Sequence, residues 1–569
     1  MSLSNNKDID NDISWEYLYV DPEKILFETT TLLNRLHYRR NVILQHTDIN
    51  DKDKILELIG LLADNIFEFN SFHNLCCLMK YVCPNSNMRS VWEKADFSLN
   101  IYSEKNKYDY EIYNLIKNIK SKIHIIYDKE CELFINKLII MYEKYGCNQS
   151  NKDRIKIQKN NQKISSCSDN SNIIKLITYR DKYAKLLKYD NYFDMNSDIN
   201  INELKSILKK IMSNLNDSVN ISTIVNLENV FNLNNSIDIM LSIMSDMFKI
   251  KFTHNKDINV WHKDVKVYNV TDNNDNIIGY IYIDLIMRKG KCADPSSISL
   301  CDSCYYPLNS ETRKIPISVI FGNLNNSISY IDIIKIFKEF GNIIHTLFNK
   351  SKFGIINVEN NMNQFMNMFF EQIIYDEDII AKFNNNNPLL FTILNKNKTV
   401  FLKYKCVMVL FDYIIHSSCD SFKNNQDLVD KFTEISNSVF ANNDINIKNK
   451  NIPHDVANYL IYDGSLIYTY ILNDLMAHSV YTLIKKNNVM NLFVKNVLAE
   501  PVSPFKILIN KFTLDNIEKV KEIKEIKEIK EIKPKILVTK DKSNKKINKI
   551  NKINKINEYS ANTNYFTDN

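Results

Sequence analysis

The feature that most constrains this chain is a period. From Asp21 to about Ile139 apolar residues recur every three or four positions, as in ILELIGLLADNIFEF, where Ile55, Leu58, Ile59, Leu62 and Ile66 fall on one stripe. Such a stripe is core packing, and it predicts long amphipathic helices. Punctuation agrees with the period: 8 glycines and 10 prolines in 569 residues leave little of the turn chemistry that a β-rich architecture needs.

Helical spacing returns at IIKLITYRDKYAKLL and SIDIMLSIMSDMFKI, after a polar stretch between Cys147 and Asn172 that reads as a loop or an exposed, frayed helix. The period then changes. VKVYNVTDNNDNIIGYIYIDL alternates around the turn-forming TDNNDN and predicts a β-hairpin from about Val265 to Leu285, and IPISVIFGNL, 315 to 324, is a third short strand. Helices follow to about residue 512. The expected organisation is a flexible N-terminus (1–15), a helical domain (16–250), a second domain (251–512) and a lysine-rich, low-complexity tail (513–569).

The tail reads VKEIKEIKEIKEIK and then KINKINKINKIN. A three-residue repeat cannot hold one face of a 3.6-residue helix, so its isoleucines spiral around the axis. Glu–Lys pairs support a solvated helix up to Pro534, and disorder is expected beyond it. Repeat drift is the preferred account of this segment, and an anionic partner such as RNA or a membrane surface is the alternative.

A formal charge of +6 on 569 residues, much of it near the C-terminus, is not that of a basic nucleic-acid-binding body, and no specific nucleic acid is expected as a partner. Eleven cysteines, including the adjacent Cys76 and Cys77, lack the spacing of a disulfide scaffold and suit a reducing compartment. Cys292, Cys301 and Cys304 include one C-x-x-C without a second pair at finger spacing, so ordinary thiols are expected rather than structural zinc. No apolar run is long enough for a membrane span. The N-terminus carries neither a signal-peptide core nor a clear mitochondrial presequence. Phosphate-cradling loops and the serine-hydrolase elbow lack their usual signatures.

FKEFGNIIH, 337 to 345, follows the predicted strands. Against the zincin pattern H-E-x-x-H it keeps Glu339, with Lys338 and Asn342 where the histidines belong. Its neighbourhood resembles the catalytic core of the thimet oligopeptidase and mitochondrial intermediate peptidase family of zinc metallopeptidases. The resemblance runs through Val260, Trp261, Asp264 and Val265, then Gly279, Tyr282, Asp284 and Leu285, then the strand at 315, and Phe337, Glu339, Gly341 and His345. FHNLCCLMKYVCPNSNMRSVWEKA, 72 to 95, is similar to the mitochondrial intermediate peptidase branch. YRDKYAKLLKY and GSLIYTYILNDLMAHSVY are similar to further family segments.

The resemblance implies a mainly α, clam-shaped, zincin-like (neurolysin-like) fold with a small sheet beside the motif helix. It implies chemistry in which two histidines and a later glutamate hold zinc while the motif glutamate takes a proton from bound water. FEQIIYDEDIIAKF aligns Glu371 with a family glutamate and places the third ligand at Gln364, or at Asn367 without a gap. Lys338 is a cation, and Asn342 and Gln364 are amides, so none is an ordinary zinc ligand and Glu339 is expected to be idle.

On the oxyanion side Tyr470 matches a family tyrosine, Asp463 and Tyr459 stand at the other tyrosine and the histidine, and His454 serves only if residues are inserted. Lys338, Asn342, Gln364 and Glu371 are expected to form one hydrogen-bonded cluster at the former metal position, and His345 to be a satisfied core histidine. The expected function is that of a catalytically silent homologue with no cofactor, whose channel holds a peptide or protein partner. The alternative is an active zinc metalloendopeptidase that processes peptides or imported mitochondrial precursors. Family resemblance suggests mitochondria, otherwise cytoplasm.

Overall fold

In the computed structural model, residues 21–45, 49, 51–167, 173–197, 199–214, 231–291, 294–354, 361–383, 388–440, 451–500 and 508–513 are described. The tail repeats, Cys292 and the first 20 residues lie outside them. The chain is mainly helical with a small sheet, and the predicted stripe of Ile55, Leu58, Ile59 and Leu62 is buried along the helix Lys52–Val82. The stretch after Cys147 is a helix, Asn151–Ser165, capped by the Ser150 side chain.

The strands are β1 (Phe231–Asn232), β2 (Lys251–Asn255), β3 (Lys266–Thr271), β4 (Ile277–Ile286), β5 (Ser296–Cys301), β6 (Ile317–Leu324) and β7 (Ser327–Ile328). β1 and β7 form a short ribbon, and the main sheet has the order β2-β3-β4-β6-β5. The hairpin β3–β4 and the strand β6 stand where alternation predicts them. The sequence reading does not contain β2 or β5, and β5 proves to matter. It pairs antiparallel with β6, with Ser297 opposite Ile320 and Ser299 opposite Ser318, and closes the sheet on that side.

The central strands β4 and β6 are buried on both faces, which accounts for the near-continuous apolar text of β6. On one face Val267, Tyr282, Val319 and Phe321 pack with Leu36, Leu78, Trp92 and Leu99 from the first three helices. On the other, Val270, Ile281, Ile283 and Ile320 pack with Ile336, Phe337 and Phe340 of the motif helix, Tyr330–Phe348. Core residues cross the boundary drawn near 250, because Ile173–Ile211 share one cluster with Val400–Ile471.

The motif helix begins at a capping box in which Ser329 and Asp332 satisfy each other's backbone groups. Gly341 lets it lie against the helix Asn361–Ile374: a Cβ at that position would stand 2.5 Å from the Met366 carbonyl oxygen, which is backbone and cannot yield. The matched residues Trp261 and Asp284 explain themselves beneath the sheet. Asp284 is fully buried; it accepts from Trp261 Nε1 at 2.7 Å, pairs with Arg288 at 2.5 Å and with Lys291 at 2.8 Å. Burial opposes its ionisation, and Arg288 and Lys291 outweigh burial to hold it below the usual carboxylate range.

Candidate functional site

Between the N-terminal helices and the sheet with its motif helix lies a cavity of about 1610 Å³. Asn70 and Asn74 from one side, Ser297 and Ser299 of β5, and Asn342, Thr346, Gln364, Tyr468 and Thr469 from the other contribute to its wall. Of the three presumed ligand positions, Asn342 and Gln364 are therefore brought together at one surface. Lys338 is not part of it. Asn367 is not either, so the gapped register at Gln364 is the one that puts an amide beside Asn342.

The expected single cluster is instead three separate arrangements. In the first, Lys338 Nζ stands 2.8 Å from Glu371 Oε2, and Lys405 Nζ is 4.0 Å from Glu371 Oε1 and 3.5 Å from Asp474. Gln372 donates to Asp474 at 2.6 Å and accepts from Lys398 at 2.9 Å. The long lysine stem carries the ammonium to a carboxylate that needs a cation. Burial pushes Glu371 toward the neutral form, but Lys338 and then Lys405 overcome it and hold the carboxyl at about 2.

In the second arrangement, Asn342 Nδ2 donates to Ser297 Oγ at 3.1 Å, and Ser297 Oγ donates to Glu339 Oε2 at 2.6 Å. Glu339 thus leans on the edge strand that sequence reasoning missed. Burial raises its pKa above the ordinary value, with Ser297 opposing the shift. In the third, Gln364 faces a different helix, Tyr468–Asn487: its Oε1 accepts from Thr469 Oγ1 at 2.7 Å and Asn473 Nδ2 at 3.2 Å.

Zinc does not fit this donor set. The Lys338 ammonium is committed to Glu371. The Asn342 amide donates to Ser297 and keeps only a neutral carbonyl oxygen, buried without a partner, which is a poor zinc ligand, and the Gln364 oxygen is turned toward Thr469 and Asn473.

Tyr470 does not line the cavity. Its hydroxyl donates to Asp463 Oδ2 at 3.0 Å, and its ring packs edge-on against Tyr459 at 5.8 Å, so the three residues of the expected oxyanion side form a contact of their own. Burial raises both pKa values; for the tyrosine, Asp463 adds to the effect. His454 is exposed at the start of its helix, beside Asn458. His345 is buried in the motif helix. The tyrosine of this segment that does reach the cavity, beside Leu466 and Thr469, is Tyr468, two positions before Tyr470 in the same family-like stretch. Nothing in its spacing distinguishes it from Tyr470, but the burial of Ile467 and Ile471 fixes which turn of the helix faces inward.

Comparison with known proteins fits this architecture. Residues 216–500 match the profile of Peptidase family M3, half of the chain, and the chain belongs to that family. It is 24% identical over 272 residues to a thimet-like oligopeptidase of Dictyostelium discoideum, a stretch covering 43% of this chain and 39% of that protein. Likeness to a mitochondrial intermediate peptidase of Yarrowia lipolytica is similar, 22% over 293 residues, covering 43% and 37%. The chain spans about two fifths of the length of these curated relatives. An oligoendopeptidase F structure shares the fold with a TM-score of 0.55 at 10% identity, covering 94% of this chain and 99% of that one. The likeness is to the M3 family as a whole and is not specific to the mitochondrial branch.

Proposed function

We propose that this chain is an M3 homologue that holds no metal at the degenerate motif and binds peptides in its channel without cleaving them. One observation carries the reading: the first ligand position holds a lysine paired with Glu371 and the other two hold neutral amides, Asn342 bonded to Ser297 and Gln364 to Thr469 and Asn473, so none of the three offers an imidazole or a carboxylate to a metal. Without a metal, Glu339 has no acidified water to deprotonate and nothing polarises a scissile carbonyl, each worth orders of magnitude in rate. What remains is a wall of amides and hydroxyls. Such groups pair with peptide N–H and C=O, and the volume exceeds the roughly 300–1,000 Å³ of small-molecule pockets. A likeness to mitochondrial intermediate peptidase in particular, and a mitochondrial address, belong to this proposal; they rest on family similarity and are checked by imaging the tagged protein.

The test pairs binding with cleavage. Fluorescent peptides are expected to bind by anisotropy, and quenched peptides to stay intact with or without added zinc, in the wild type and in Glu339→Gln alike. Zinc-dependent, chelator-sensitive cleavage that disappears in Glu339→Gln would overturn the proposal and establish the active alternative.

A further inference from the structure

We propose that His73, Cys77 and Asp96 form a site for a divalent transition metal of the zinc class, separate from the degenerate motif. His73 and Cys77 stand one turn apart on the helix Lys52–Val82, and Asp96 comes from the helix Ser86–Asn106 that packs against it. The three donor atoms are already gathered. His73 Nε2 is 3.1 Å from Asp96 Oδ1, Cys77 Sγ is 3.1 Å from the same oxygen, and Cys77 Sγ is 3.7 Å from His73 Nε2. A tetrahedral zinc with bonds of about 2.0–2.3 Å has ligand–ligand edges of about 3.3–3.6 Å, so small movements of side chains convert this triangle into three coordination bonds.

The donor chemistry suits the ion. Imidazole with thiolate selects zinc, cobalt and copper over magnesium or calcium, and thiolate with carboxylate supplies two negative charges for a divalent cation. The second oxygen of Asp96 is held by Lys80 at 2.7 Å, which orients the carboxylate as an outer partner does while adding one unfavourable charge. His73 also packs against the Phe69 ring at 5.1 Å, tilted by 35°, and Phe69 forms part of the channel wall, so the site lies just behind that wall.

Binding has a proton balance. An ordinary cysteine is a thiol at neutral pH, so the unloaded cluster carries Cys–SH. A metal–sulfur bond forms as the sulfur–hydrogen bond breaks, and the proton leaves to solvent. Affinity therefore rises with pH, and one proton is released per metal.

The test uses the full-length protein stripped with chelator and titrated with Co²⁺. One equivalent is expected to produce thiolate-to-cobalt charge-transfer absorption together with tetrahedral d–d bands. Equimolar Zn²⁺ should displace it, and Cys77→Ser should abolish the thiolate band. His73→Gln keeps every thiol and is expected to weaken cobalt binding at least about tenfold, the lower end of what losing even an outer partner costs. Absence of a thiolate band in the wild type, a band unchanged in Cys77→Ser, or unchanged affinity in His73→Gln would each overturn the proposal. The degenerate motif and its partners contain no thiol, so a metal bound there gives no such band.

Discussion

Replacing Lys338 by methionine keeps the stem of the side chain and removes its charge, which isolates the interaction that has taken over the first ligand position. Glu371 is held at about 2 against an ordinary 4.5. That difference is a net stabilisation on the order of 3 kcal/mol, supplied by the surrounding cations over and above the opposing cost of burial. Lys338, at 2.8 Å, is the strongest of them; Lys405, at 4.0 Å, stays behind in the variant. About half of the total is then at stake, or about 2 kcal/mol, below the roughly 3–5 kcal/mol of a buried pair broken with no second cation nearby.

The pH dependence has a definite sign. A carboxyl whose pKa is depressed by folding contributes stability above its unfolded pKa and loses it as pH falls toward the folded value. For Glu371 that window runs from about 4.5 down to about 2. Lys338→Met is therefore expected to be less stable than the wild type by a constant amount above about pH 5, with the gap closing in more acidic buffer. Urea denaturation followed by tryptophan fluorescence at pH 7 and pH 3.5 reads both quantities, and Glu371→Gln with the double variant completes the cycle. A neutral effect at pH 7, or a gap of equal size at both pH values, refutes the reasoning. The first outcome means the pair is not coupled to folding, and the second that the methionine acts through packing alone.

Two further expectations come from other carboxylates. Burial raises the Glu339 pKa, so ionising it costs stability as pH rises past its ordinary 4.5; Glu339→Gln, still able to accept from Ser297, should match the wild type in acid and be more stable at pH 7, as thermal melts in the two buffers will show. Beneath the sheet, Asp284→Asn strands the buried Lys291 and Arg288 and should cost about 3–5 kcal/mol, whereas Trp261→Phe removes one donor and should cost about 1–2 kcal/mol; equal losses in denaturant titrations would show that Asp284 does not act as the shared counter-ion.

How far the sequence discloses this site depends on what each residue is bonded to. Helical stripes and the hairpin are legible because their signals are local: Ile55, Leu58 and Ile59 repeat with the helix, and TDNNDN marks a turn. β5 is not, because SSISLC is short and half polar, and its strand state is set by pairing with β6 and by Asn74, which donates to the Ser299 carbonyl at 2.8 Å from a helix more than 200 residues away. The same gap explains the error at the motif. The spacing of Lys338, Asn342 and Gln364 describes where a metal's ligands would stand, so it suggests that their replacements share one centre. The side chains that stand there are not drawn together: Lys338 pairs with a buried carboxylate, Asn342 donates to the hydroxyl that already serves Glu339, and Gln364 bonds to a hydroxyl and an amide on another helix. The position of the motif helix is set by Gly341, whose close contact with the Met366 backbone involves none of these three side chains, so the scaffold is legible from the glycine while the partners of Lys338, Asn342 and Gln364 are not.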